Sequence, residues 1–360
     1  MPQPAVLFGG PSPEHDVSVL TGLQAVRALP GARALYWAKA GDFWEVDAGH
    51  EAAAFAEGVP RRSERLRLVS GEGFVGRKRA LEISAVVNCC HGGPGEDGTI
   101  QGMFDLAGLA YTGPNLPAAA LGMDKLAFGQ VMAAAGLPML PRALLTADSP
   151  PPFPGPYIVK PRFGGSSIGI DADVADGATA VARLAANPHL RAGAVVEPYR
   201  ADAADLNVAA RSWPALSLSA VERPRRPTGG GPILGYRDKY LGGDGMVSAP
   251  RELPAILAPA VEAKLRDMAV AVAGLVGLRG LARIDFLAVG DGTDELWVNE
   301  INTIPGSLSK YLWVDPAVPF ARLLADLLDE AVRRPSFHWT AAGADGTALR
   351  SAGSITSKLA

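Results

Sequence analysis

The runs LARIDFLAV at 281–289 and LWVNEI at 296–301, the second followed by Asn302, flank the polar stretch 290–295. Apolar runs of this length joined by a short Gly/Asp-bearing connection predict an antiparallel hairpin. Pairing Val289 with Leu296 sets Asp285 opposite Glu300 and Arg283 opposite Asn302. Strand side chains two apart share a face, so these four polar residues converge on one side of the hairpin. Two carboxylates and a carboxamide are hard oxygen donors of the kind Mg²⁺ takes, with water and phosphate oxygens completing its shell. The same pattern also describes a solvated outer face carrying an Arg–Asp ion pair, and a slip of one residue would scatter the groups.

Upstream, residues 157–160 read as a strand ending in Lys160, followed by the glycine/serine loop 163–169. Such loops offer backbone N–H groups and hydroxyls to phosphate oxygens, although an ordinary turn has the same composition. Neither GxxxxGK[ST] nor GxGxxG is present. Only eight of the 34 basic residues are lysines, which favours a lysine chosen here for its point charge. Two more glycine clusters, GGPSPEHD at 9–16 and HGGPGEDG at 91–98, each follow a buried-type strand. Parallel α/β sheets gather ligands at such strand ends. The carboxylates there could hold an ammonium group or complement a helix macrodipole. Ser12 is the expected N-cap of the helix that follows. YRDKY at 236–240, ahead of Gly242-Gly243, suits a lid over a charged ligand or an exposed polar loop.

Composition bounds the possibilities. The 360 residues suit two or three domains around a cleft, and 48% apolar with 20% charged residues is ordinary globular usage. The net charge of −3 gives no basic excess for nucleic-acid binding. The longest apolar run, 268–278, is about half a bilayer span, and no leader pattern is read at the start, so neither membrane nor secretion is expected. Cys89 and Cys90 are adjacent and predict no disulfide framework. Further elements are expected as helices over 124–135, 173–187, 254–278 and 320–332 and a strand over 194–198. One or two strands are expected over 208–221, a surface excursion over 70–82, and a disordered tail over 335–360.

Six ordered motifs carry a family resemblance: FGGPSPEHDVS (8–18), HGGPGEDGTIQG (91–102), MDK (123–125), KPRFGGSSIG (160–169), YRDKY (236–240) and RIDF…NEINTIPG (283–286 and 299–306). Together, over nearly the whole chain less the tail, the sequence resembles the D-alanine–D-alanine ligases of the ATP-grasp superfamily. The resemblance implies an α/β fold in three domains: a doubly wound N-terminal substrate domain (1–118), a central ATP-grasp subdomain (119–207) and a C-terminal subdomain with the metal site (208–334). It implies ATP-dependent joining of two D-alanines through an acyl phosphate, for peptidoglycan precursors in the cytoplasm, with a homodimer as the expected assembly.

Residue by residue, the resemblance implies that Lys125 and Lys160 meet the nucleotide's phosphates, that Ser167 and Lys239 also bind ATP, and that Glu197, Asp205 and Leu287 lie near its adenine and ribose. Asp285, Glu300 and Asn302 match the Mg²⁺ ligands, two ions being expected and Mn²⁺ a substitute. Glu14 matches the group that holds the first ammonium, with Ser166 and Tyr240 as its partners. Arg283 and the Gly306 N–H match the oxyanion site. His91, Ser309 and Tyr311 fall among the substrate contacts. The sequence departs from the family pattern at Pro198, at Ala203-Ala204-Asp205, and at 307–312, where Tyr311 stands in place of a serine that meets the second substrate's carboxylate. A phenol there could change the acceptor.

Overall fold

The computed structural model describes residues 2–225, 250–336 and 340–358. The expectations at Lys239 and Tyr240 lie outside the described residues. The first sheet is built from β1 (Gln3–Gly9), β2 (Arg33–Trp37), β3 (Phe43–Val46), β4 (Glu64–Val69), β5 (Gly73–Val75) and β6 (Ile83–Asn88), in the order β5-β4-β3-β2-β1-β6. Only β2-β1-β6 is parallel, and β3 to β5 extend it in antiparallel fashion. Alternation along β1 divides two cores. Val6 and Phe8 face the helices His15–Ala28 and Phe320–Arg333, while Ala5 and Leu7 face helix Thr99–Ala107.

The second sheet, in the order β7-β10-β8-β9, holds β7 (Ala143–Leu145), β8 (Tyr157–Pro161), β9 (Asp171–Val174) and β10 (Ala194–Pro198), with helix Gly177–Ala186 packed on it. The third, in the order β13-β12-β11-β14-β15, holds β11 (Ala204–Arg211), β12 (Ser217–Pro224), β13 (Arg251–Glu252), β14 (Leu281–Val289) and β15 (Glu295–Asn302). Its apolar face packs on helix Pro259–Val276 and on Ala118, Phe128 and Met132.

Several expectations are corrected. The helix expected over 124–135 is present as Lys125–Ala134, with Asp124 Oδ1 accepting the Leu126 and Ala127 N–H groups as its N-cap, and an unexpected helix, Leu116–Met123, precedes it. The helix expected from 254 begins at Pro259, where proline fits the first turn, and stops at Gly277 with φ 68°. Ser12 does not cap the first helix. It accepts the Glu14 N–H at 3.1 Å, and the helix opens at His15. The excursion over 70–82 contains β5, whose Phe74 is fully buried. The expected division at 207/208 falls inside β11, which belongs whole to the third sheet. Residues 340–358 are mostly exposed, with helical turns at Thr347–Arg350 and Thr356–Lys358.

Gly22 lets the first helix lie against β1. A Cβ there would sit 2.2 Å from the Phe8 Cβ, an atom fixed to the strand. Gly22→Ala gains about 0.5–1 kcal/mol of helix propensity but overpacks the core at a cost of about 1–3 kcal/mol. The clash is with a Cβ rather than a flexible tip, so the loss wins. A lowered midpoint in thermal or urea unfolding is the expected result.

Candidate active site

One cleft runs between the three sheets, lined among others by Glu14, Lys125, Lys160, Glu197, Asp285, Glu300 and Tyr311. The hairpin of β14 and β15 forms one wall. Arg283 pairs with Asn302 and Asp285 with Glu300, as expected. The expected pairing of Val289 with Leu296 is corrected: Val289 faces Glu295, and the one-residue offset is absorbed by a bulge between Asp285 and Phe286. The unpaired residue on β15 is Asn299, absent from the expected site. Arg283 Nε and Nη2 donate to the two oxygens of Asp285, both at 2.6 Å, and Asn302 Nδ2 donates to Asp285 Oδ2 at 3.0 Å. Burial opposes the Arg283 charge, yet Asp285 beside it holds the guanidinium protonated. Glu300 Oε2 lies 3.5 Å from Lys125 Nζ. The Asp124 cap places Lys125 in the first turn of its helix, from where Nζ also donates to the Gly164 carbonyl.

Lys160, next to last in β8, donates from Nζ to Glu197 Oε2 at 2.9 Å. Glu197 in β10 pairs with Ile158, two positions along from Val195, the partner of Lys160, so the two side chains meet diagonally on one face, and Glu197 is 1% exposed. Its carboxylate therefore meets a lysine from the next strand. Burial would raise its pKa, but Arg142 and Lys160 hold it below the usual carboxylate range. Pro198, Asp205 and Leu287 line the same region of the cleft.

Opposite the hairpin, Glu14 is buried and makes no side-chain cap to its helix. Its Oε1 instead accepts the Ser166 hydroxyl, joining the first glycine cluster to the glycine/serine loop. Ser166 and Ser167 sit at φ 51° and 59°. A Cβ on Gly165 would come within 2.9 Å of Glu14 Oε2, and one on Gly92 within 2.6 Å, so glycine at both positions leaves room for the carboxylate.

His91, expected at the substrate, has both ring nitrogens engaged. Nδ1 is 2.7 Å from the Ile304 carbonyl and Nε2 is 2.8 Å from Thr21 Oγ1. The carbonyl can only accept, so Nδ1 carries the proton and Nε2 accepts from Thr21. Thr21 Oγ1 in turn accepts the Ser307 N–H at 3.1 Å. Glu96, unassigned from sequence although it lies in a quoted motif, accepts the Ile304 N–H at 2.7 Å and the Thr303 hydroxyl at 3.2 Å. These bonds anchor the turn Gly306–Leu312, in which Ser307, Leu308 and Ser309 have φ of 50°, 48° and 46°. Three consecutive side chains in the left-handed region cost on the order of 1–2 kcal/mol each. Ser309 is fully buried, and neither its Oγ nor the Tyr311 hydroxyl has a hydrogen-bond partner among the described residues. The Arg251 guanidinium lies 4.5 Å over the Tyr311 ring and donates to Glu222 Oε1 at 2.7 Å. Arg142, Glu96, Asn299, Arg251 and Glu222 carried no spacing signal that set them apart.

A family model described as D-ala D-ala ligase N-terminus matches residues 3–114, and one described as D-ala D-ala ligase C-terminus matches residues 152–329. The chain belongs to the D-Ala–D-Ala ligase family. Members of this family are ATP-dependent ligases. The chain is 32% identical to a D-alanine--D-alanine ligase of Acidiphilium cryptum (strain JF-5), over 93% of this chain and 100% of that one. It is also 32% identical to one of Rhodococcus jostii (strain RHA1), over 92% and 96%. Its fold is similar to the D-alanine-D-alanine ligase from Coxiella burnetii (TM-score 0.75, 22% identity, 92% and 94% covered). It is likewise similar to the VanG D-Ala:D-Ser ligase from Enterococcus faecalis (TM-score 0.74, 21% identity, 92% and 99% covered). The expected ATP-grasp α/β class is borne out. Among the described residues no helix is long and apolar enough to cross a membrane.

The pair His91 and Glu96 gives a pH test. Burial, against the Ile304 hydrogen bond and with Arg283 near, lowers the His91 pKa from 6.5 to about 4. Its contribution to stability is present above 6.5 and lost as pH falls through 4. Burial, then the nearby Glu14, raises the Glu96 pKa from 4.5 to about 7. Its contribution is present below 4.5 and lost as pH rises through 7. Each is on the order of 3 kcal/mol, so the two oppose one another in the wild type. Glu96→Gln unmasks His91, and stability is expected to climb from pH 4 to 6.5 more steeply than in the wild type. His91→Gln should reverse the slope. Urea midpoints measured against pH read both.

Proposed function

We propose that this chain is an ATP-dependent D-alanine–D-alanine ligase that makes the dipeptide for peptidoglycan precursors in the cytoplasm. The single observation that carries this is the cleft itself. The Arg283–Asp285–Glu300–Asn302 wall, the Lys125 and Lys160 ammonium groups and the Glu14–Ser166 pair line one cavity. In this reading Glu14 and Ser166 hold the first D-alanine's ammonium group, and its carboxylate oxygen attacks the γ-phosphorus as ADP leaves. Lys125 and Lys160 neutralise charge on the phosphates, and the Ser167 hydroxyl donates to a phosphate oxygen. The second D-alanine's amine then attacks the acyl carbon. Arg283 and the Gly306 N–H stabilise the oxyanion, phosphate departs, and a proton is lost from nitrogen.

The donor set suits divalent metal, since the two carboxylates stand directly opposite across the hairpin. Asp285, Glu300 and Asn302 would hold Mg²⁺, or Mn²⁺ in its place, and two ions are the expected number. Bound there, the metal supplies charge neutralisation for the γ-phosphoryl group. The Asp285 carboxylate would exchange part of its Arg283 pairing for the ion, leaving that guanidinium for the oxyanion. A homodimer is part of the proposal by family likeness alone.

Tyr311 supports a second reading, the same chemistry with an acceptor other than D-alanine. Its buried hydroxyl lacks a partner among the described residues, and its ring fills the wall beneath Arg251.

Purified protein with Mg-ATP and D-alanine is expected to release ADP and form D-alanyl-D-alanine, read by mass spectrometry. If neither ADP nor the dipeptide forms, the D-alanine assignment is overturned. In a panel of amino and hydroxy acids, turnover only when a second, non-alanine acceptor accompanies D-alanine would select the alternative. Lys160→Ala and Glu300→Ala should each lower kcat/KM by at least about 10²-fold. Thermal midpoints should move little, because Glu197 keeps Arg142 and Glu300 is partly exposed.

A further inference from the structure

Arg142 follows a Leu-Pro pair ahead of β7, with its side chain 4% exposed. It reaches three parts of the cleft at once. Nη1 donates to the Lys125 carbonyl at 3.0 Å, Nη2 donates to the Asn299 carbonyl, and Nε stands 2.8 Å from Glu197 Oε1. The last contact is an ion pair without hydrogen-bond alignment. Asn299 Oδ1 lies 3.4 Å from Lys160 Nζ and 3.3 Å from Arg142 Nη2. The bulge that aligns Asp285 with Glu300 is thus tied to the same guanidinium.

Charge counting gives this arrangement a consequence. Lys160 and Glu197 alone form a neutral buried pair, and a neutral pair attracts a phosphate weakly. Adding Arg142 makes the cluster net positive by one, so the Lys160 ammonium keeps its pull on an anion although it is bonded to a carboxylate. In a low-dielectric cleft that difference is large. We infer that Arg142 is a positioning residue for the triphosphate: it answers the Glu197 charge so that Lys160 remains a net cation toward the nucleotide. The inference rests on the reading of the cleft as an ATP site.

Binding, rather than turnover, separates the two. Wild-type protein, Arg142→Met, Arg142→Lys and the double variant Arg142→Met/Glu197→Gln would be titrated calorimetrically with Mg²⁺ and the β,γ-imido analogue of ATP, and separately with adenosine. Arg142→Met removes one positive charge, and about 10- to 100-fold weaker binding of the analogue is expected with adenosine binding unchanged. Arg142→Lys keeps the charge and should stay within a few-fold of wild type. The double variant restores a net charge of plus one, and the amide oxygen introduced by Glu197→Gln can still accept from Lys160, so it should recover most of the loss. Unchanged analogue binding by Arg142→Met would overturn the inference. So would a parallel loss of adenosine binding by Arg142→Met, or a double variant whose analogue affinity, taken relative to its own adenosine affinity because Glu197 lies near the adenine, is no better than the single's, since both describe a merely structural arginine. Failure of the wild type to bind the analogue would remove the ATP reading itself.

Discussion

A single buried carboxylate, Glu197, meets two cations where the second and third sheets face each other. Lys160 reaches it from the adjacent strand and Arg142 from the segment before β7. Isolated, such a carboxylate would be costly to bury, and with one cation it would be neutral. With two, it fixes the lysine's position and leaves a positive charge in the cleft. The same arginine holds the bulged residue of β15, so the electrostatics of one wall and the register of the other share a support.

The opposite end of the cleft is built on hydrogen bonds rather than ion pairs. His91 and Glu96, from the loop after β6, bind the carbonyl and N–H of Ile304, and Thr21 from the first helix binds Ser307. These bonds tie the N-terminal sheet to the turn Gly306–Leu312, whose three left-handed residues would not persist alone. The closing helix Phe320–Arg333 completes that tie by burying Leu323, Leu324 and Leu327 in the core it shares with β6 and the first helix, far back in the sequence. The fold positions its chemistry by fastening the end of the chain to its beginning.

The hairpin was legible because strand alternation is a local rule, and Arg283, Asp285, Glu300 and Asn302 obey it whatever surrounds them. The reading from the turn end was nevertheless one residue out. The bulge corrects it, and nothing in LWVNEI marks Asn299 as the extra residue. Glu14 and Ser166 were legible as members of glycine clusters, but their meeting across 152 residues was expected from the family resemblance alone and from no local rule. The helix beginning at Asp124 was legible, but the short helix Leu116–Met123 that runs into it was not. Arg142 and Glu96 had no local signature, since a buried arginine and a surface one look alike in a list of letters.

Sequence alone determined the alternating strands, the glycine clusters at their ends, the lysine before the Gly/Ser loop and the hairpin's shared polar face, because each depends on neighbours within a few residues. Ordered along the chain, they were enough to expect the family. Tertiary structure alone decided which charges answer one another, that both His91 nitrogens are committed, and that Arg251 covers Tyr311. Those outcomes depend on which distant groups are brought together out of water, where a pairing's energy is set by burial and net charge rather than by spacing in the sequence.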